Sequence, residues 1–340
     1  MFVSRDAAAE RVGYSLRYHV AANYQRELMR LVMLGTGPFA VPTLRRLHDS
    51  PHEVVRVITR PPRGRRAEAP PMQRAAVALG LPVWQPETVN SDEACTQLRS
   101  LHPTLLVVCD YGEILKPAVL SAAPSLGGIN LHGSLLPKYR GAAPVQWAVL
   151  NGDAETGNTV IQMTPGLDAG PCLGVDRVHI DPDESAGELE ARLAERGGEL
   201  VLSVIDALEA GTAKPQAQDK HVASKAPRLA KEHGLIDWSR PALAIKNQVR
   251  ALDPWPRAFT HWRRGAGEPL RLIVHRTQVS NAQFPEPMNS GTVLEAGPRL
   301  IVATGAGAIE LLVVQPAGKR VMTADEFLRG SPLAVGHAFT

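Results

Sequence analysis

Asn130 and His132 stand one residue apart in the stretch GGINLHGSLLPKYRGAAP (Gly127 to Pro144). If Ile129 to His132 is a strand end, this spacing turns both side chains to one side and Leu131 to the other. Ligands bind outside the carboxyl ends of strands in an open α/β sheet, so the amide and the imidazole are predicted to point into a crevice. An amide N–H can hold a developing oxyanion. An imidazole titrates near neutral pH and can move a proton. The acid that would complete the set is Asp168 in TPGLDAGP (Thr164 to Pro171), a loop whose glycines let backbone approach a ligand closely. By itself the N-x-H spacing leaves a second reading open, in which the two side chains are only loop hydrogen-bonders.

The run NLHGSLLPKYRGAAPVQWAVLNGDAETGNTVIQM (Asn130 to Met163), followed by GLDAG (Gly166 to Gly170), closely resembles the methionyl-tRNA formyltransferases. The resemblance extends over roughly Met29 to Gly330. It implies that Asn130, His132 and Asp168 are a catalytic trio and that the turn Ser134, Leu135, Leu136 and Pro137 lies at the folate site. It implies 10-formyltetrahydrofolate as formyl donor, initiator methionyl-tRNA as acceptor, and no metal. The implied reaction is attack of the methionyl α-amine on the N10 formamide through a tetrahedral oxyanion. Asn130 and His132 would donate to that oxygen, and Asp168 would stabilise protonated His132 and receive the amine's proton through a water. The trio is common to 10-formyltetrahydrofolate-dependent transferases, so it speaks for the chemistry and not for the acceptor. Sugar-nucleotide formyltransferases share HGSLLP-x-YRG, but they carry R-x-P where this chain has Ala142-Ala143-Pro144, and they lack a basic tRNA-holding domain. A sugar-nucleotide amine is therefore the alternative acceptor. Outside enzymology the alternative is an RNA-binding protein on an inactive scaffold, against which the intact trio weighs.

To present such a trio, the chain must bring several strand ends to one edge. Apolar runs at Leu31 to Leu34, Val54 to Ile58, Pro82 to Trp84 and Leu105 to Cys109 alternate with helical stretches through Leu47, over Gln73 to Leu79 and from about Asp92 to Leu101. Further helices are predicted over Pro144 to Leu150 and Ala186 to Leu208, and strands over Thr159 to Met163 and Gly174 to Ile180. Strands alternating with helices predict an α/β fold with a doubly wound, mainly parallel sheet of the Rossmann-like, formyltransferase type. The near-continuous apolar run at Leu105 to Cys109 suits a strand covered on both faces. It leads into DYGEIL, which puts Asp110 and Glu113 where members of the resembled family carry apolar residues near the folate wall.

The first strand is followed by GTGPFA (Gly35 to Ala40), which fits the dinucleotide fingerprint G-x-G-x-x-A. Pro38 removes a backbone N–H from the turn that would face a pyrophosphate. The second strand ends in Thr59-Arg60, with no acid for a ribose diol. Arg60 leaves a 2′-phosphate, and so an NADPH enzyme, as a second enzyme reading. The bland reading is a glycine-rich strand-to-helix turn.

Residues 1–28 are read as an extension before the resembling pattern, with Met29 as the native start. Residues 29–210 form the expected catalytic domain. Residues 60–74, RPPRGRRAEAPPMQR, make a proline-broken basic loop. By the resemblance, Arg63, Arg65 and Arg66 would contact tRNA. The polar stretch Gly211 to Gly234 is read as a linker. Residues 235–340 bring short strands bounded by Gly or Pro, predicted to form a small OB-like β-barrel. Lys319 and Arg320 sit in a basic turn that the resemblance assigns to tRNA.

The 340 residues suffice for two domains with ample cores. A content of 44% hydrophobic and 21% charged residues excludes wholesale disorder. No apolar run reaches the ~18 residues of a membrane span. Cys95, Cys109 and Cys172 form no C-x-x-C pair, which fits a reducing cytoplasm and gives no metal site. We expect a monomer. The net charge of +3 is unevenly spread: Asn151 to Lys214 holds 4 Lys/Arg against 13 Asp/Glu, and Pro215 to Ser280 holds 12 against 5. A basic block after an acidic one predicts a domain that faces a polyanion.

Overall fold

The computed structural model describes residues 28–340 except 63, 65–67, 264–267 and 283–288. The expected extension over residues 1–28 therefore lies, apart from Leu28, outside the described residues, and so do Arg63, Arg65 and Arg66.

The first half of the chain runs β1 (Arg30–Leu34), α1 (Val41–His48), β2 (Glu53–Ile58), α2 (Pro71–Ala78), β3 (Val83–Trp84), α3 (Asp92–Ser100), β4 (Leu105–Cys109), α4 (Pro117–Leu120) and β5 (Gly128–His132). It continues through β6 (Arg140–Gly141), α5 (Pro144–Asn151), β7 (Glu155–Gln162), β8 (Cys172–His179) and α6 (Ala186–Glu209). Seven strands form one sheet in the order β3-β2-β1-β4-β5-β7-β8. The pairs from β3 to β5 are parallel, whereas β7 and β8 run antiparallel at one end. The strand order reverses between β1 and β4, which opens a crevice at the carboxyl ends there.

Alternate residues of the central strands feed two separate cores, as pleating requires. Leu31, Met33, Leu105 and Val107 join one cluster with α1, α5 and α6, whereas Val32, Leu34, Leu106 and Val108 join another that holds Leu98 of α3 and Val119 of α4. Burial on both faces is what turns β1 and β4 into unbroken apolar runs. Helix α6 starts from a reciprocal cap: Ser185 accepts from the Glu188 N–H and Glu188 accepts from the Ser185 N–H. Its Gly197 lets it lie against β5, since a Cβ there would stand 2.6 Å from a Leu131 methyl.

Strand β7 starts at Glu155, four residues before the sequence-based expectation. The early part carries Thr156 and Asn158, which read as loop residues yet are buried. The Asn158 side-chain nitrogen donates to the Leu193 carbonyl of α6 at 2.8 Å, which helps a polar residue sit in a covered strand, while its oxygen finds no partner among the described residues.

The second half brings β9 (Lys225–Ala226), α7 (Ala242–Ala251), β10 (Ala258–Trp262), β11 (Leu270–Ser280), β12 (Val293–Ala296), β13 (Leu300–Ala303), β14 (Ala308–Pro316), β15 (Met322–Thr323) and α8 (Ala324–Arg329). An antiparallel sheet in the order β10-β11-β14-β13-β12, with β15 on β14, packs around Trp262, Leu272, Leu300 and Ile309. Both of its outer strands are covered by the same short segment. Gly336 and Phe339 donate to the carbonyls of Val293 and Gly291 beside β12, and Thr340 exchanges two backbone bonds of 2.9 Å with His261 of β10. The two halves meet through α7. Lys246 pairs with Asp183 at 2.6 Å, and Arg250 donates to the carbonyls of Asp181 and Glu184 just before α6.

Candidate active site

Strand β5 ends at the expected residues. Asn130 and His132 both line a cavity of about 490 Å³, along with Phe39, Asp110, Gln146 and Asp168. His132 is 6% exposed and its Nε2 lies 2.8 Å from the Tyr139 carbonyl. A carbonyl can only accept, so Nε2 carries the hydrogen and Nδ1 is the nitrogen left for chemistry. The Asn130 side-chain amide has no hydrogen-bond partner among the described residues. Its donor and acceptor are thus available to a substrate.

The Tyr139 carbonyl is held by the turn that follows β5. Ser134 Oγ donates to the Lys138 carbonyl at 2.8 Å, Thr159 Oγ1 donates to the Ser134 carbonyl at 2.7 Å, and the Tyr139 hydroxyl donates to Asp153 at 2.9 Å. Serine, threonine and tyrosine thus fix a backbone oxygen, and that oxygen fixes the tautomer of the His132 imidazole.

Asp168 stands 3.8 Å from His132 Nδ1 through Oδ2, and the same oxygen accepts the Gly141 N–H at 2.8 Å. Its φ of 47° lies in the left-handed region that L-residues visit rarely. The loop is tied down from an unexpected quarter. Gln218, in the stretch read as linker, donates to the carbonyls of Asp168 (2.9 Å) and Gly170 (2.7 Å). Its oxygen accepts from both Nε and Nη2 of Arg140, at 3.1 and 2.7 Å. Beyond it, β9 pairs with β6 and carries Gly141 to Asp168.

On the β4 side, two carboxylates line the same cavity. Glu113 accepts from Thr88 Oγ1, from Asn90 Nδ2 at 2.9 Å and from Arg60 Nη1 at 2.7 Å. Burial alone would raise its carboxyl, but these bonds and the Arg60 charge hold it below the ordinary value. Asp110 is different. It has a φ of 47° and curls over Gly37, where a Cβ would run into its Oδ2. The cavity opens much of its surface, yet dense protein around it raises the carboxyl from 3.8 to about 7, by burial first and the charge of Glu190 second. The glycine loop after β1 donates the N–H groups of Thr36 and Gly37 to the Asp110 carbonyl at 2.9 and 3.4 Å. Those are the donors a dinucleotide pyrophosphate would require, and Arg60 is likewise committed to Glu113. The NADPH reading loses its support on both counts.

The turn Ser134–Pro137 does not line the cavity that holds the trio. Leu135, Leu136 and Pro137 line a neighbouring concavity of about 400 Å³ with Lys138, Tyr139 and Arg177, and Ser134 is fully buried. Lys319 is exposed, and Arg320 pairs with Glu326 of α8 at 2.9 Å. Glu190, Gln146, Arg228 and Gln218 belong to the site or its support and were not expected from the sequence. Among the described residues one grouping has metal-ligand spacing, His52 with Asp206 and Glu209. It sits at the amino end of β2, away from the cavity edge.

A family model described as "Formyl transferase" matches residues 29–205, and one described as "Formyl transferase, C-terminal domain" matches residues 228–332. A methionyl-tRNA formyltransferase of Solibacter usitatus is 47% identical over 309 residues, covering 90% of this chain and 96% of that protein. One of Herpetosiphon aurantiacus is 44% identical over 307 residues, covering 89% and 98%. Among solved structures, an N-formyltransferase from Helicobacter canadensis in complex with folinic acid and dTDP-3-aminofucose superposes with a TM-score of 0.63 at 19% identity, covering 84% of this chain and 99% of that one. At that identity the likeness is one of fold.

Proposed function

The chain belongs to the methionyl-tRNA formyltransferase family, and we propose on that premise that it transfers the formyl group of 10-formyltetrahydrofolate to the α-amine of initiator methionyl-tRNA. The observation that carries this reading is the convergence of Asn130, His132 and Asp168 on one cavity at a sheet edge. The amine attacks the formamide carbon, and charge develops on its oxygen. The Asn130 amide donates to that oxygen. His132 joins it when protonated at Nδ1, because Nε2–H is spent on Tyr139. Asp168, anchored by the Gly141 N–H, offsets the imidazolium. One preorganised donor of this kind contributes on the order of 10²–10³ in rate.

In the same reading, residues 29–210 carry the chemistry, 211–234 join the halves and 235–340 hold tRNA. Backbone bonding of residues 336–340 to both outer strands supports an OB-like barrel for the last part. Folate lies along the Gly112–Ile114 loop in the cavity of the trio, and the implied contact with the Ser134–Pro137 turn falls to Leu135, Leu136 and Pro137 in the neighbouring concavity. We assign phosphate contacts to Lys319, Arg320 and the arginines at 63, 65 and 66. Action as a monomer belongs to the same reading, and three unpaired cysteines support a cytoplasmic setting.

The test is formylation of charged initiator tRNA with 10-formyltetrahydrofolate, beside a gel shift with the same tRNA. Turnover with a tRNA shift is expected. A shift without turnover would leave only an RNA-binding scaffold. Turnover of an amino-sugar nucleotide but not of tRNA would move the acceptor to that class.

A further inference from the structure

β5 lies between β4 and β7 in the sheet, and each neighbour sends one acid toward it. Asp168 follows β7. Asp110 follows β4, and the parallel register of Cys109 with Leu131 brings it level with His132, at a strand spacing of ~4.8 Å. Asp168 is bonded and braced. The Asp110 carboxylate, by contrast, accepts no hydrogen bond and makes no ion pair among the described residues. Glu190, from the start of α6, lines the same cavity, with only the Gln146 amide near it at 3.4 Å. Of the arginines beside the cavity, Arg60 is taken by Glu113, and the exposed Arg228 forms no ion pair with either acid among the described residues. A carboxylate crowded by surrounding protein and by a second acid, yet open to the cavity and without a donor of its own, is an unfavourable place for charge, and its complement is a cation that arrives with the substrate.

The acceptor supplies one. At neutral pH much of an α-amine is ammonium, which has no lone pair to attack with. We propose that Asp110, with Glu190 beside it, captures the acceptor's α-ammonium and is the base that takes its first proton. This rests on the formyl-transfer reading above. The ammonium gives a proton to the Asp110 carboxylate. The freed lone pair forms the C–N bond to the formyl carbon, and the carbonyl pair moves onto oxygen beside Asn130 and His132. The added nitrogen loses a second proton, which passes by way of Asp168 to N10 as the C–N10 bond breaks and the C=O bond re-forms. The products are the formamide and tetrahydrofolate, and the proton on Asp110 leaves to solvent. Asp110 and Asp168 thus divide two proton transfers between the two flanks of β5.

The electrostatic surroundings suit the task. The ionisable groups around the cavity are Cys109 on β4, Glu113 with Arg60, His132, Asp168, Arg228 and Glu190. Burial followed by the Glu190 charge raises Asp110 to about 7, and burial raises Glu190 also. A base whose pKa lies near the working pH and near that of its proton donor is the effective one.

The test is formylation by wild type, Asp110→Asn and Glu190→Gln from pH 6 to 8.5. At pH 7 Asp110→Asn should lower kcat by roughly 10²-fold, leaving folate binding unchanged. The deficit should shrink as pH rises, because more acceptor then arrives as neutral amine and needs no base. Glu190→Gln should move the acid limb of the profile to lower pH, because the charge that helps raise Asp110 is gone, and should raise the KM for the acceptor. A deficit in Asp110→Asn that does not vary with pH, or no deficit, overturns the proposal. If Asp110→Asn does not fold, an unmoved acid limb in Glu190→Gln overturns it equally. Wild type without turnover would instead sink the transfer reading itself, so the two failures are distinguishable.

Discussion

Asp110 and Glu113 sit three residues apart on one loop and line one cavity, yet the protein handles them in opposite ways. Glu113 is surrounded by donors from Thr88, Asn90 and Arg60, and its carboxyl is held down. Asp110 faces the reaction space without a donor, and its carboxyl is pushed up to about 7. The same division recurs across β5, where Asp168 is anchored by Gly141 and Asp110 is not. A satisfied carboxylate gives the loop its shape, and an unsatisfied one is kept ready for a ligand. Two acids of nearly equal chemistry become scaffold and reagent through their neighbours alone.

The comparison can be broken hardest at the central strand between the flanks. Asn130→Ala and His132→Ala should each lower kcat by about 10²–10³ or more, with tRNA affinity by gel shift near wild type. A variant that keeps near-full turnover would remove the strand end from the chemistry. Glu113→Gln should cost about 2–3 kcal/mol at pH 7 by urea unfolding, because Arg60 is left buried without its charge partner. The sign follows from a lowered carboxyl. Its contribution is complete above the ordinary glutamate pKa of ~4.3 and is lost as pH falls through the lower folded value. A cost that persists undiminished at acid pH would mean that packing, not charge, holds this corner.

Gln218→Ala sharpens the Asp168 side. Releasing the carbonyls of Asp168 and Gly170 should lower kcat roughly 10-fold, since small misplacements of a catalytic group are expensive. Folate and tRNA affinity should barely change. Equal turnover would show that Gly141 alone positions the carboxylate. The smallest effect expected is a gain. Asp110→Asn should stabilise the fold by about 1–2 kcal/mol at pH 8, after discounting for the open cavity wall. Here the carboxyl is raised, so the wild-type penalty is absent below the ordinary aspartate value of ~3.9 and complete above about 7. A stabilisation that grows toward acid pH would contradict the assigned environment. Lost activity alongside gained stability is the signature of a residue kept for its reactivity.

The sequence made the central strand end readable because alternation is a period-2 property and asparagine and histidine are chemically marked. The buried parallel strands were equally plain as apolar runs, and the parallel sheet followed from them. The parts that were not legible share a physical cause. The oxygen that fixes His132 is a backbone carbonyl, for which Tyr139 carries no side-chain signature. Gln218 lies in a polar, apolar-poor stretch, and nothing local distinguishes a brace from a spacer. Glu190 looks like any acid on an amphipathic helix until the helix is set against β5. The glycine loop fits a dinucleotide pattern because the pattern records turn geometry. What decides its use is whether its N–H groups remain open, and here the Asp110 carbonyl takes them.

The five residues 336–340 join β10 to β12 and leave neither strand's backbone bare over that span. Clipping them would uncover backbone groups of His261 on one edge and of Gly291 and Val293 on the other, two bare edges open to chain-to-chain β pairing. A purification handle fused directly after Thr340 would strain the same clasp. Engineering of this protein should therefore append its cargo elsewhere, and a truncated version should precipitate before it loses its catalytic half.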